Sequence, residues 1–200
     1  MSPTKVVMSC HSDTVWDAAY ISAYKKRRRV WYYGNLDNLV TVAAVFVNLH
    51  KHPHNVKTYF TMHEETNMAG AKNLMKREGK ALYIALDITG MSPRSDVTIE
   101  HIHRIDKKKL RELLHPLPYK ITFTDGEADE AIAYGKKYPT FSLCLPVYGH
   151  IHGRTRTSRT KMLRYTRAVL DIAKLVSKNL RHIVIPHHHH PHIKKGKAGS

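Results

Sequence analysis

Acidic side chains are scarce in this sequence: 16 Asp and Glu stand against 33 Lys and Arg, for a formal charge of +17. So one-sided a balance excludes an acidic, solvating chain and favours polyanionic partners such as nucleic acid, acidic peptides or an anionic surface. The excess is spread over clusters at residues 25–29, 107–109, 154–159 and 194–197, the pattern of a generally basic surface more than of one dedicated groove. Cysteine is nearly absent as well. Cys10 and Cys144 are too few for a disulfide framework, so a reduced, cytoplasmic setting is expected. Long apolar runs are missing: none approaches the roughly 18 residues that cross a bilayer. Residues 1–10 lack the apolar core and cleavage site of a secretory leader, and no membrane partner is expected.

What is present suits one folded domain. Two hundred residues, 42% of them apolar, can bury a sizeable core. Buried strands are expected at residues 5–10, 81–88 and 140–147, a more exposed one at 29–33, a half-exposed one at 96–103, and further strands at 56–62 and 119–123. Helices are expected at residues 36–50, 67–77, 107–114, 127–136 and 158–180. The last would turn Leu163, Val169, Leu170, Ile172, Ala173 and Val176 inward. Strands alternating with helices predict a three-layer α/β/α sandwich around a central mixed, mostly parallel sheet. One catalytic domain would span residues 1–183. Residues 184–200, with histidines at 187–190 and 192 and then a basic run, read as a disordered tail.

With so few acids, the positions of those present carry information. His11 and Asp13 follow the first buried strand, Asp37 opens a helix, Glu64 and Glu65 follow the next strand, Asp87 ends the most apolar one, and His152 lies beyond the last. In open α/β sheets, sites form outside the carboxyl ends of strands, so residues distant in sequence would converge on one edge. Such a set can hold a pair of cations about 3.5–4 Å apart, bridged by a carboxylate. Taken singly each has a plainer reading. Glu-Glu pairs are commonly solvated, Asp37 could cap its helix, and Asp87 could be a turn residue. Jointly the coincidence favours a metal site.

These motifs, in this order, resemble the dinuclear zinc aminopeptidases of the glutamyl and tetrahedral kind: His-x-Asp, Leu-Asp-Asn, Glu-Glu, an Asp closing an apolar strand, and a late His. Further similarities are Met68-Ala69-Gly70-Ala71, Thr124-Asp125-Gly126 and the segment from Pro146 to His152. The resemblance implies a zinc-exopeptidase fold and a metallopeptidase that removes N-terminal residues from peptides. Asp37 would bridge two divalent ions, zinc or else cobalt or manganese. His11 and Asp87 would complete one site, and Glu65 and His152 the other. Glu64 would be the general base, and Asp13 would stand behind His11 and fix its tautomer. His150 competes with His152 as the late ligand, and the Ile-His pair favours His152.

The sequence also departs from that family. Only residues 14–36 separate His-x-Asp from the bridging Asp, so the family's inserted assembly domain is absent. A homo-oligomer is compatible with the resemblance, but its architecture does not carry over. Gly149 stands where the family has Arg, which puts one contact in doubt. Two alternatives remain open at this stage: a two-metal amidase or deacylase on a non-peptide substrate, and a non-enzymatic basic protein that binds nucleic acid or an assembly partner.

Overall fold

A computed structural model describes residues 3–15, 20–126 and 129–186 of the chain. The first half runs β1 (Val6–His11), β2 (Ile21–Lys26), β3 (Arg29–Gly34), α1 (Leu39–Phe46), β4 (Val56–Thr61), α2 (Ala69–Glu78) and β5 (Leu82–Thr89). The second runs β6 (Val97–His103), α3 (Lys107–Leu114), β7 (Ile121–Phe123), α4 (Asp129–Gly135) and β8 (Thr140–Pro146). It closes with β9 (Tyr148–Gly149), β10 (Thr155–Ser158), α5 (Arg159–Lys178) and α6 (Leu180–Ile183).

Six strands form the central sheet in the order β4-β1-β5-β8-β6-β7. The first four are parallel, β6 runs antiparallel to β8, and β7 is parallel to β6. This is the expected mixed, mostly parallel sheet. The chain moves from β1 outward to β4, then back past β1 to β5. Right-handed crossovers in opposite directions place their helices on opposite faces. Accordingly Val40, Ala44 and Val45 of α1 pack with α5 residues Tyr165, Ala168 and Ile172 in one core cluster. Ala71 and Leu74 of α2 pack with Ala131 and Tyr134 of α4 in the other. Strand alternation feeds both: Val6, Met8 and Cys10 enter the first cluster, and Val7 enters the second. Cys10 and Cys144 are both buried and free; β5 runs between their strands.

A second, four-stranded antiparallel sheet has the order β2-β3-β10-β9. Only β3 of these was expected. α1 begins at Leu39, after an N-cap at Asn38, so the helix expected from residue 36 is shorter at both ends. α5 is capped by Ser158, whose side chain accepts from Lys161 N; such a cap stabilises a helix by about 1 kcal/mol. Leu163 does not face inward as its spacing predicts but is 47% exposed, while Tyr165 and Ala168 are fully buried. At about 100° per residue Leu163 lies on the side of α5 away from the stripe of Tyr165, Ala168, Val169, Ile172, Ala173 and Val176, which is the one that is buried. Val184, assigned to the tail, is buried and bridges Ile105. The tail histidines lie outside the described residues. Among the described residues, no helix is long and apolar enough to cross a membrane.

Candidate metal centre

The carboxyl ends of β1, β4, β5 and β8 lie side by side, and all seven site residues expected from the sequence lie at that edge of the sheet or in the loops around it. His11 is the last residue of β1 and Asp87 the sixth of eight in β5. Both share the alternation of Val7 and Tyr83, so they project to the α2/α4 side. Asp37 sits in the loop between β3 and α1, and its peptide bond to Asn38 is cis. Asn38 ties that loop to the sheet by donating from Nδ2 to the Leu86 carbonyl at 2.8 Å. Glu64 and Glu65 occupy the loop from β4 into α2, and His152 the turn from β9 into β10.

Side-chain geometry sorts these residues into overlapping groups. Ligand atoms of His11, Asp37 and Asp87 lie within 4.8 Å of one another, as do those of Asp37, Glu65 and His152. Asp37 belongs to both groups. His11, Glu64 and Glu65 make a third. His11 Nε2 is 3.3 Å from Asp37 Oδ1 and 3.4 Å from Asp87 Oδ1. The other ring nitrogen, Nδ1, is 3.1 Å from the main-chain carbonyl of Asp13 and 3.7 Å from its carboxylate. The nearest group able to fix the His11 tautomer is therefore the backbone of Asp13, with the side chain behind it. The Asp13 carboxylate also receives the Glu65 N–H at 3.4 Å, which links the β1 end to the Glu-Glu loop.

The plainer readings of these residues do not describe what is seen. The N-cap of α1 is Asn38, not Asp37. Glu64 is 7% exposed, far from a solvated face. Buried oxygens of Asp13, Asp37 and Glu65 make no hydrogen bond, although buried carboxylates require partners. Their electrostatics carry the same stamp. Burial pushes the Glu65 carboxyl up, and the nearby Asp37 adds to it. Burial and Asp37 likewise raise Asp87, against the pull of His11. Burial draws the His11 imidazole down, but Asp37 and Asp87 outweigh it and push the group up to about 12. A set of acids too close to be comfortable together, with imidazoles between them, is one that could hold a divalent cation.

His11, Asp37, Glu64, Asp87 and His152 line a cleft of about 440 Å³ that also takes in Thr89, Met91, Glu100, Gly126 and His150. Glu100 escaped the sequence reading. It is 2% exposed on β6 and accepts from Thr124 Oγ1 at 2.9 Å. A Cβ on Gly126 would stand 2.4 Å from Glu100 Oε2, so the Thr-Asp-Gly motif leaves room for that carboxylate. Its only sequence signal was an acid inside an otherwise apolar alternation.

No protein-family model matches the sequence, and no curated protein does. Solved structures do match the fold. A TET aminopeptidase from a marine-sediment thaumarchaeon superposes with a TM-score of 0.60 at 18% identity, over 78% of this chain and 52% of that one. The Pyrococcus horikoshii TET1 peptidase, which assembles into a tetrahedron or an octahedral shell, matches with a TM-score of 0.60 at 16% identity, over 76% and 52%. Yeast aminopeptidase 1 matches with a TM-score of 0.55 at 11% identity, over 80% and 50%. The chain thus shares its mixed α/β fold with aminopeptidases and spans about half the length of each.

Proposed function

We propose that the chain is a metal-dependent aminopeptidase. The observation that carries this reading is the pair of ligand groups sharing Asp37, with Glu64 beside them in the same cleft. Bound there, two divalent ions, zinc or else cobalt or manganese, would supply Lewis-acid polarisation of the scissile carbonyl and an activated water. His11, Asp37 and Asp87 would hold one ion, and Asp37, Glu65 and His152 the other. Asp13 keeps His11 turned so that Nε2 faces its carboxylate partners. Glu64 takes a proton from the attacking water and returns it to the leaving amine, a contribution of about 10²–10⁴-fold.

Charge favours a free amino terminus as the feature recognised. Asp37, Glu64, Asp87 and Glu100 line the cleft and Glu65 groups with Asp37 beside it, five carboxylates together on a chain of +17. Two divalent ions neutralise four of these charges, and the surplus attracts an ammonium group. The aminopeptidase neighbours support the same reaction class. Their dodecameric and tetrahedral assemblies make self-association an open expectation for this chain, which carries a two-strand hairpin, β2–β3, between His11 and Asp37.

The test is hydrolysis of aminoacyl arylamides and short peptides with zinc, cobalt or manganese supplied. Glu64→Gln serves as control, and metal content is measured on protein ending at Pro186. Cleavage that vanishes in the variant while about two ions per chain remain supports the reading. Two ions and no cleavage of any peptide would shift it to an amidase on another substrate, and no metal uptake would overturn it.

A further inference from the structure

In the β2-β3-β10-β9 sheet, β3 and β10 have one face on the protein core and one towards solvent, while β2 is exposed along nearly its whole length. Tyr32 packs against the main hydrophobic cluster, and Thr155 and Thr157 are fully buried. Register fixes what the other face displays. Tyr24 pairs with Trp31, Lys26 with Arg29, and Arg156 with both Tyr33 and Tyr148. Alternation therefore gathers four aromatic rings and three cations on one surface. Tyr24, Lys26, Arg27, Arg29, Trp31 and Arg156 line a cleft of about 500 Å³ there, separate from the metal centre. Tyr148 backs the platform, 6.2 Å from Trp31 between ring centroids.

Two further observations mark this surface. Among the described residues, no carboxylate forms an ion pair with any cation from 25 to 29, or with Arg154, Arg156 or Arg159. The hairpin turn also carries arginine at both positive-φ positions, Arg27 at 47° and Arg28 at 62°. Asn-Gly is the cheap solution for such a turn, and an observed strained conformation points towards use.

We infer that this face binds single-stranded nucleic acid, with Tyr24 and Trp31 stacking on bases and Lys26, Arg27, Arg29 and Arg156 contacting the phosphates. An exposed ring at Tyr24 and half-buried ones beside it, interleaved with cations that pair with no carboxylate among the described residues, match both halves of such a ligand. An acidic peptide offers the charge without the planar partners for the rings. A second copy of the chain would set like charges against each other. The inference does not depend on the metal centre, so chelation should leave it unchanged.

The test is fluorescence anisotropy with a labelled mixed-sequence DNA single strand, its RNA equivalent and its duplex, across a salt series. The full chain is compared with Lys26→Gln/Arg29→Gln/Arg156→Gln, with Tyr24→Ala, and with Lys107→Gln/Lys108→Gln/Lys109→Gln, which removes the same charge from α3. Thermal melts check folding. Single strands should bind, and the sheet triple should lower the salt slope by about 2. Tyr24→Ala should weaken binding about 5- to 100-fold with the slope unchanged. The α3 triple should do little. Equal losses from both triples, preference for duplex, or displacement by polyglutamate together with indifference to Tyr24→Ala would each overturn the inference.

Discussion

Asp37 and His152 should differ in what their loss does to metal-dependent stability, because one belongs to two ligand groups and the other to one. A ligand that binds only the folded chain stabilises it by about 2.7 kcal/mol per site at a hundred times its Kd. Two sites give about 5 kcal/mol. In a domain of this size each kcal/mol moves Tm by about 2–4 °C, so zinc should raise the melting temperature of the wild type by about 10–20 °C. Removing one of three ligands brings a site close to its Kd under the same conditions, leaving about 0.5–1.5 kcal/mol there. His152→Ala should therefore keep about 60–80% of the rise, and Asp37→Ala, which weakens both sites, about 20–55%. The assay is differential scanning calorimetry with and without zinc. The rise is taken within each variant, so that effects on the metal-free fold cancel. Imidazoles at 187–190 and 192 that take up metal in the folded and unfolded chain alike shift nothing. Equal losses in the two variants would refute a shared carboxylate, and no rise in the wild type would refute the metal centre.

Other perturbations have comparably definite outcomes. Glu78 has a buried side chain that accepts from Lys5 Nζ at 2.6 Å, Lys57 Nζ at 3.1 Å and Tyr59. Burial pushes its carboxyl up, but these donors outweigh burial and hold it down to about 2. A folded value below the unfolded one contributes stability above about pH 4.3 that is lost as pH falls towards 2. Glu78→Gln should thus cost about 1–3 kcal/mol at neutral pH and almost nothing near pH 2, read from urea unfolding at both. Glu130 lies beneath the site, accepting from Ser9 at 2.6 Å and Thr61 at 2.5 Å. Glu130→Ala removes the acceptor for both hydroxyl protons, leaving Ser9 only its bond from the Tyr134 hydroxyl, and should lower stability by about 3 kcal/mol, whereas Glu130→Gln should lose less than half of that; thermal melts decide. A Cβ on Gly70 would lie 2.4 Å from the Met62 carbonyl oxygen and 2.8 Å from its nitrogen. Since the clash is with backbone and no flexible side chain can relieve it, Gly70→Ala should shift the loop bearing Glu64 and Glu65 and cut peptide hydrolysis about 10²-fold, with the fold retained by circular dichroism.

The candidate site was more legible than parts of the fold, and the reason is local. His11, Glu64, Glu65 and Asp87 each adjoin a strand whose apolar run is plain in sequence, and a parallel sheet gathers its carboxyl ends at one edge. Knowing that edge required neither strand order nor register. Asp37 was legible for a related reason, since the apolar spacing after it marked a helix start even though Asn38 is the cap. Glu100 was not, because its place in the cleft depends on β6 running antiparallel to β8, and nothing in residues 96–103 states a direction. The small sheet was hidden for a further reason. β9 has two residues and β10 four, too short for any periodicity to declare itself. Its basic face is a property of pairing alone. Tyr24 and Trp31 become neighbours through one register and Arg156 joins them through another, whereas the linear sequence spreads these charges over clusters more than a hundred positions apart. A surface that read as evenly basic along the chain is therefore uneven in space: one group of cations lies beside aromatic rings on the small sheet, and one group of acids lies at the carboxyl edge of the large one.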